Sequence, residues 1–410
     1  MLTVKLAHFR LSLSAIGCLL ISCSATQPDI SIDPAPYLAD QFFPTPAADF
    51  ELESTESLFE LPEEMKRQLD IQVKPYESEY ERYKKLRTWA FRRFADYEFN
   101  TMETVSLSML NSNRKINCLS FSAMFVAAAK YSDVSAQYQL VFAPPYWDKN
   151  NDSWINNQHI NVTGEVLVPA DYSVQVRSAF PGEYPINFGD LDPDGFTYRY
   201  TADVNPAVVS VRVKRQRISE QQVVSLFFSN KSVEQLVAED IGAAYAYTKA
   251  ALQHDPASAL AWNNLGVLYN RVGQSDYAMA AFSQAIELDE TAHSARSNLA
   301  RLYRNIGELD LAQALDEEVE KFRLTNPYYH AALAEQEMES GDLNAAKARY
   351  EDALEIKHNE QHFYHQLAII YQALGNREAM MENLRDARRY ARGDEKSRFA
   401  NKLRALENLL

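Results

Sequence analysis

From residue 225 onward, large and small apolar residues recur with a period of 34. Trp262, Leu265, Gly266, Tyr269, Ala278, Phe282 and Ala285 set the pattern, and Leu299, Ala300, Tyr303 and Ala312 repeat it one period later. The next period brings Leu333, Ala334, Ala346, Tyr350 and Ala353, and the one after it Tyr364, Leu367, Ala368, Tyr371, Leu384 and Ala387. One period upstream lie Phe228, Ala244, Ala251 and Pro256. The register is unbroken, so five units starting near 225, 259, 293, 327 and 361 are predicted over 225–394. Small residues allow two helices of a hairpin to approach, and large ones fill the space between hairpins. A polar helix from Glu395 to Leu409, within 395–410, is expected to cap the last unit.

Residues 61–218 mix helical and strand patterns. Pro62-Glu63-Glu64 opens a helix, and residues 77–95 predict a second. On the second, Tyr80, Tyr83, Leu86, Ala90, Phe91 and Phe94 share one face, with Trp89 at its margin. Such an aromatic stripe is a core face. Thr104 to Asn111 reads as a short helix. Ala123 to Lys130 has high helix propensity, with Ser120 or Ser122 as the cap. Strand-like runs follow at Ala136 to Phe142 and His159 to Val168. Ala207 to Ile218 alternates as another, with Arg212, Lys214, Arg215 and Arg217 on a solvated edge. A three-residue loop Gly164-Glu165-Val166 would pair Thr163 with Leu167 and bring His159 opposite Asp171 on one face. Between the strands a polar loop carries Trp147 and Trp154, either as a cleft wall or as cover for the sheet edge.

The N-terminus changes the expected compartment. Lys5 and Arg10 precede an apolar run from Leu11 to Ile21, too short to span a bilayer, which predicts a signal peptide over 1–22. Residues 23–60 contain Pro28, Pro34, Pro36, Pro44 and Pro46 among many acids, and predict a disordered tether with a reach of roughly 35 Å. A net charge of −15 argues against nucleic acid or anionic lipid as a partner. Of three cysteines, Cys18 lies in the predicted signal peptide and Cys23 just past it, leaving Cys118 as the single thiol of the mature chain. An unpaired Cys in an exported protein is flagged as reactive, the alternative being a buried structural residue. Cys118 is expected at or just before the N-terminus of the helix that contains Ala123 to Lys130, where the dipole and the free N–H groups favour a thiolate.

Three resemblances give these patterns a function. The 34-residue units are similar to tetratricopeptide repeats, which implies a protein or peptide partner in their groove. Leu20-Ile21-Ser22-Cys23 resembles a bacterial lipobox, which implies lipidation of Cys23. With Ser24 following, it also implies an outer-membrane lipoprotein facing the periplasm, held to the membrane only by its lipid. Asn117-Cys118-Leu119-Ser120-Phe121-Ser122, Gln158-His159-Ile160-Asn161-Val162 and Ala170-Asp171-Tyr172 resemble the transglutaminase-like superfamily of papain-type thiol enzymes. The implied fold is an α+β transglutaminase-like (papain-like) domain followed by an all-α tetratricopeptide solenoid. The implied activity is peptide or amide hydrolysis, or amine transfer onto glutamine, on a protein or peptide substrate. Cys118 would be the nucleophile, His159 the base and Asp171 its orienting acid. The competing reading is a non-catalytic repeat adaptor carrying a retired domain of this kind. Deleting 225–410 is expected to remove a partner and leave thiol reactivity intact.

No cofactor or metal is expected. Asp190-Leu191-Asp192-Pro193-Asp194-Gly195 starts like a calcium loop, but Thr201 occupies the twelfth position, where a Glu is required, so a plain turn is preferred. His358, His362 and His365 lack the acid of an HExxH pattern and read as surface.

Overall fold

The aromatic stripe over residues 77–95 does form a core face, with one exchange. In the computed structural model Trp89 is buried and donates from Nε1 to Gln68 Oε1 at 2.9 Å, whereas Phe91 is half-buried. The structure describes residues 32–46, 50–100, 103–141, 149–150, 153–154, 159–169, 187–191, 196–204, 215–391 and 393–407. The signal peptide, Cys23, Trp147, Asp171 and Asp192–Gly195 lie outside them.

After α1 (Thr55–Phe59) and α2 (Glu63–Gln72), the stripe helix is α3 (Glu79–Phe94). Strand β1 (Glu98–Phe99) pairs in parallel with β2 (Lys115–Ile116), and α4 (Leu110–Asn113) lies between them in sequence. Next come α5 (Cys118–Tyr131), β3 (Gln137–Val141), a β4 (Lys149–Asn150) and β5 (Ser153–Trp154) ribbon, and β6 (His159–Leu167). Strands β7 (Asn187–Leu191), β8 (Thr197–Ala202) and β9 (Arg215–Arg217) complete an antiparallel sheet ordered β7-β8-β6-β3-β9. Tyr83 of α3 stacks on Tyr200 of β8 at 4.1 Å, and fully buried Phe121 and Phe125 bring α5 into the same core.

The expected hairpin is absent. β6 runs straight through Gly164-Glu165-Val166, with Gly164 opposite Tyr200 and Val166 opposite Tyr198. Gly164 answers crowding rather than a turn: a Cβ there would stand 2.2 Å from the Ser135 carbonyl oxygen and 2.4 Å from the Tyr200 ring. The pairing that set His159 against Asp171 therefore does not form. Thr201, the proposed twelfth calcium-loop position, instead pairs with Thr163 within the sheet.

Five antiparallel hairpins follow: α6 (Glu220–Val237) with α7 (Ile241–His254), α8 (Ala259–Arg271) with α9 (Ser275–Leu288), and α10 (His293–Ile306) with α11 (Leu309–Leu324). The last two are α12 (Pro327–Ser340) with α13 (Leu343–Ile356) and α14 (Gln361–Ala373) with α15 (Arg377–Tyr390). The terminal helix α16 (Gly393–Glu407) packs on α15. Trp262, Leu265, Tyr269, Ala278, Phe282 and Ala285 are all buried, and a Cβ on Gly266 would meet the Phe282 ring at 2.5 Å. Within four hairpins the connection turns through a left-handed glycine, Gly273, Gly307, Gly341 and Gly375, with φ between +73° and +88°. In the first hairpin Glu239 occupies that position at φ +63°. The predicted start at 225 falls one turn inside α6, because Ser219 and Gln222 form a capping box that starts the helix earlier. Among the described residues no helix is long and apolar enough to cross a membrane.

The predicted tether requires correction. Asp33–Leu410 is one compact unit, and residues from Tyr37 to Pro46 lie against α7, α8 and α9. Further along, α1 buries Leu58, and Leu61 follows it into the core. Pro and acidic residues without periodicity read as solvated chain. The aromatic residues Tyr37, Phe42, Phe43 and Phe50 nevertheless all find ring partners on the repeats.

Candidate functional site

Cys118 is the first residue of α5 and is half-buried. Its helix begins there because Asn117, in extended conformation, places its side-chain Oδ1 2.8 Å from the Ser120 N–H. Asn117 is thus the cap, in place of the expected Ser120 or Ser122. Ser120 Oγ instead donates to the Val105 carbonyl at 2.7 Å and accepts from the Val105 N–H at 3.0 Å. Ser122 Oγ donates to the Ile160 carbonyl at 3.4 Å and so ties the helix to β6 beside His159. The Cys118 N–H belongs to the first turn, where no carbonyl of the helix itself can accept it.

His159 opens β6 opposite Val141. Its Nε2 lies 2.8 Å from Oδ2 of Asp203, whose side chain is completely buried. The same Oδ2 accepts from Asn161 Nδ2 at 2.9 Å. Cys118 stands close enough to His159 to act on its proton. Burial disfavours the imidazolium. The hydrogen bonds to Asp203 and Cys118 and the charges of both outweigh it, raising the His159 pKa to about 10.

Cys118 lies beside His159, and the acid on the imidazole is Asp203, while Asp171 lies outside the described residues. The register explains how. Val162 pairs with Ala202, so one step outward Asn161 faces Asp203, and His159 lies two residues further along the same face of β6. A signal for Asp203 was present: Tyr198, Tyr200 and Ala202 alternate as a strand and end on an acid.

The cap of the Cys118 helix extends into the repeats. Asn117 Nδ2 donates to Thr104 Oγ1 at 2.8 Å, and Asn230 Nδ2 of α6 donates to the same oxygen at 3.1 Å. The Thr104 N–H donates to Glu234 Oε1 of α6 at 2.6 Å. Burial raises the Glu234 carboxyl pKa, with the Lys231 charge opposing it. Among the described residues no group of three or more His, Cys, Asp and Glu side chains is placed to hold a metal ion. His358 falls in the turn between α13 and α14, His362 lies near Glu335, and His365 contacts Lys402. A cavity of about 390 Å³, bounded by Phe59, Lys66, Val126, Lys130 and Glu220, sits at the far end of α5 and includes none of Cys118, His159 and Asp203.

Family models of the tetratricopeptide repeat match residues 259–291 and 361–392, on the second and fifth hairpins. These hairpins are tetratricopeptide repeats. Among solved structures, a crystal structure of MamA is 19% identical over 42% of this chain and 96% of that one, at a TM-score of 0.22. MamA 41-end from Desulfovibrio magneticus RS-1 is 14% identical over 40% and 94%, at 0.23. YrrB, titled a TPR protein with an unusual peptide-binding site, is 16% identical over 40% and 84%, also at 0.23. No curated protein matches this chain. Tetratricopeptide repeats point to protein or peptide partners.

Proposed function

We propose that this protein is an envelope lipoprotein whose Cys118 region is a transglutaminase-like thiol acyl-transfer site, with the tetratricopeptide repeats as its protein-binding module. The observation that carries the reading is the His159–Asp203 hydrogen bond, with Asp203 buried and Cys118 close enough to His159 to act on its proton. In the first step the Cys118 sulfur, its proton already held by His159, bonds to an amide carbonyl carbon. The developing oxyanion is served by the N–H of Cys118. The C–N bond then breaks, His159 gives the proton to the departing amine, and an acyl thioester remains. Water or a second amine attacks the thioester and loses its proton to His159. The C–S bond breaks, and His159 keeps the proton beside the released sulfur. Asp203 holds the imidazole and stabilises its charged form.

The test is incubation of the full chain with a glutamine-containing peptide and a fluorescent primary amine, alongside a thiol-directed electrophile with peptide mapping. Ammonia or peptide-fragment release, or amine incorporation, lost in Cys118→Ala, supports the reading. An electrophile that leaves Cys118 unmodified in the folded chain overturns it. The repeats by themselves also favour a second reading, a non-catalytic adaptor, and an inert Cys118 would select it. The lipobox-like Leu20-Ile21-Ser22-Cys23 supports the lipid anchor. Persistence of lipid on a Cys23→Ser variant would refute it.

A further inference from the structure

Residues Tyr37 to Pro44 lie on the first two repeats in the manner of a bound peptide. The Tyr269 hydroxyl reads main chain rather than side chain: it donates to the Tyr37 carbonyl and accepts from the Ala39 N–H at 3.0 Å. Gly242 opens space for the backbone, since a Cβ there would stand 2.6 Å from the Pro44 carbonyl oxygen and 3.0 Å from Pro46 N. Side chains supply the selection. Phe43 stacks on Tyr245 at 3.8 Å, Phe42 meets Tyr277 edge-on at 5.2 Å, and Tyr37 meets Trp262 edge-on at 5.0 Å. Between them Asp40 accepts from Tyr245 Oη at 2.7 Å and from Lys249 Nζ at 2.7 and 2.9 Å.

The segment folds into two single 3-10 turns, Ala35–Tyr37 and Asp40–Phe42, and is held by main-chain hydrogen bonds with spaced side-chain contacts, as a docked peptide is. The segment does little as core: of residues 33 to 46 only Ala39 is buried. The repeats, in contrast, present Tyr245, Trp262, Tyr269 and Tyr277 together, an aromatic patch that requires a cover. We propose that this face is an exchangeable peptide-binding site, occupied in cis by residues 37–44. Its partner is a peptide that takes up the same short helical turns, with an acidic residue two positions before an aromatic pair and an aromatic residue three positions before the acid, as in Tyr37, Asp40, Phe42 and Phe43. The cis segment sets the threshold, because a short tether holds it at an effective concentration on the order of millimolar. A partner must exceed that or displace the segment from one end.

The probe is a fluorescein-labelled synthetic peptide of residues 33–46, followed by anisotropy. The full chain carrying Asp40→Ala and Phe43→Ala should bind it at least tenfold more tightly than the wild type. Adding Tyr245→Ala to that chain should weaken binding at least tenfold. Gly242→Ala should expose residues 33–46 to protease and still refuse the peptide. Should the double variant fail to fold, excess unlabelled peptide with the wild type should accelerate cleavage within residues 33–46. The proposal is overturned by no saturable binding to a folded double variant, by equal binding to wild type, by indifference to Tyr245→Ala, or by unchanged wild-type cleavage at saturating peptide.

Discussion

Asp203 Oδ2 lies 2.8 Å from His159 Nε2, joining residues 44 positions apart through two neighbouring strands. Asn161, directly opposite Asp203, holds the same oxygen. Asp203→Asn keeps the shape and removes the negative charge that favours the imidazolium. Cys118-dependent acyl transfer is therefore expected to fall by roughly 10²–10⁴-fold, the range of a lost acid–base contribution, and Asp171→Asn should cost far less. Steady-state rates of the two variants, with circular dichroism to verify folding, decide this.

The His159 proton makes stability depend on pH. Its folded-state pKa, about 10, lies above the ordinary 6.5. The folded chain therefore keeps a proton that the unfolded chain releases between those values. The stabilisation is complete below pH 6.5 and is lost as pH rises through about 10. Urea denaturation across that window should show stability declining in the wild type, with the decline reduced in His159→Gln. By NMR, the His159 midpoint should drop more in Asp203→Asn than in Cys118→Ser, because the Asp203 hydrogen bond is the largest raising influence.

Asn117 is both helix cap and anchor for Thr104. Asn117→Ala should cost roughly 0.5–2 kcal/mol from the cap, with a further loss from the unpaired Thr104 hydroxyl. Cys118 alkylation should slow in parallel, as the helix start loosens. Chemical denaturation and alkylation rates measured on the same protein test both effects. A loss of stability with unchanged alkylation would detach the cap from the thiol.

Glu239 fills the left-handed position that Gly273, Gly307, Gly341 and Gly375 fill in the later repeats. A side chain there costs about 1–2 kcal/mol, and the extra freedom of glycine in the unfolded chain returns part of that. The exposed ion pair of Glu239 with Arg271, at 3.6 Å, offsets little. Glu239→Gly should stabilise the protein by about 0.5–1 kcal/mol, seen as a higher denaturation midpoint with an unchanged slope. A lower midpoint would show that Glu239 makes contacts worth more than the strain.

The repeats and the thiol region are not expected to separate cleanly. Val223 and Phe227 of α6 are buried beside Leu58, Leu119 and Ala123, the last two in the first turns of the Cys118 helix. Removing residues 219–410 uncovers that surface and deletes Asn230 and Glu234 from the cap network. A chain ending at residue 218 is expected to show slower Cys118 alkylation and to bind a hydrophobic dye. Unchanged alkylation with no dye binding would restore the modular picture.

The sequence by itself determined the repeat solenoid and its register, because a 34-residue period is local information: each helix meets mainly its neighbours, so the pattern fixes the packing. It also placed Cys118 at a helix N-terminus to within a few residues and His159 at a strand start, since caps and strand runs act locally, although the cap proved to be Asn117. Tertiary structure decided which acid pairs with His159. That choice depends on whether β6 turns or continues at Gly164, and continuation is set by the Ser135 carbonyl and Tyr200 ring, contacts from two other segments. The same holds for residues 33–46. Their aromatic and acidic side chains have no periodicity of their own, and they acquire order only because α7, α8 and α9 place Tyr245, Lys249, Trp262, Tyr269 and Tyr277 on one face to receive them.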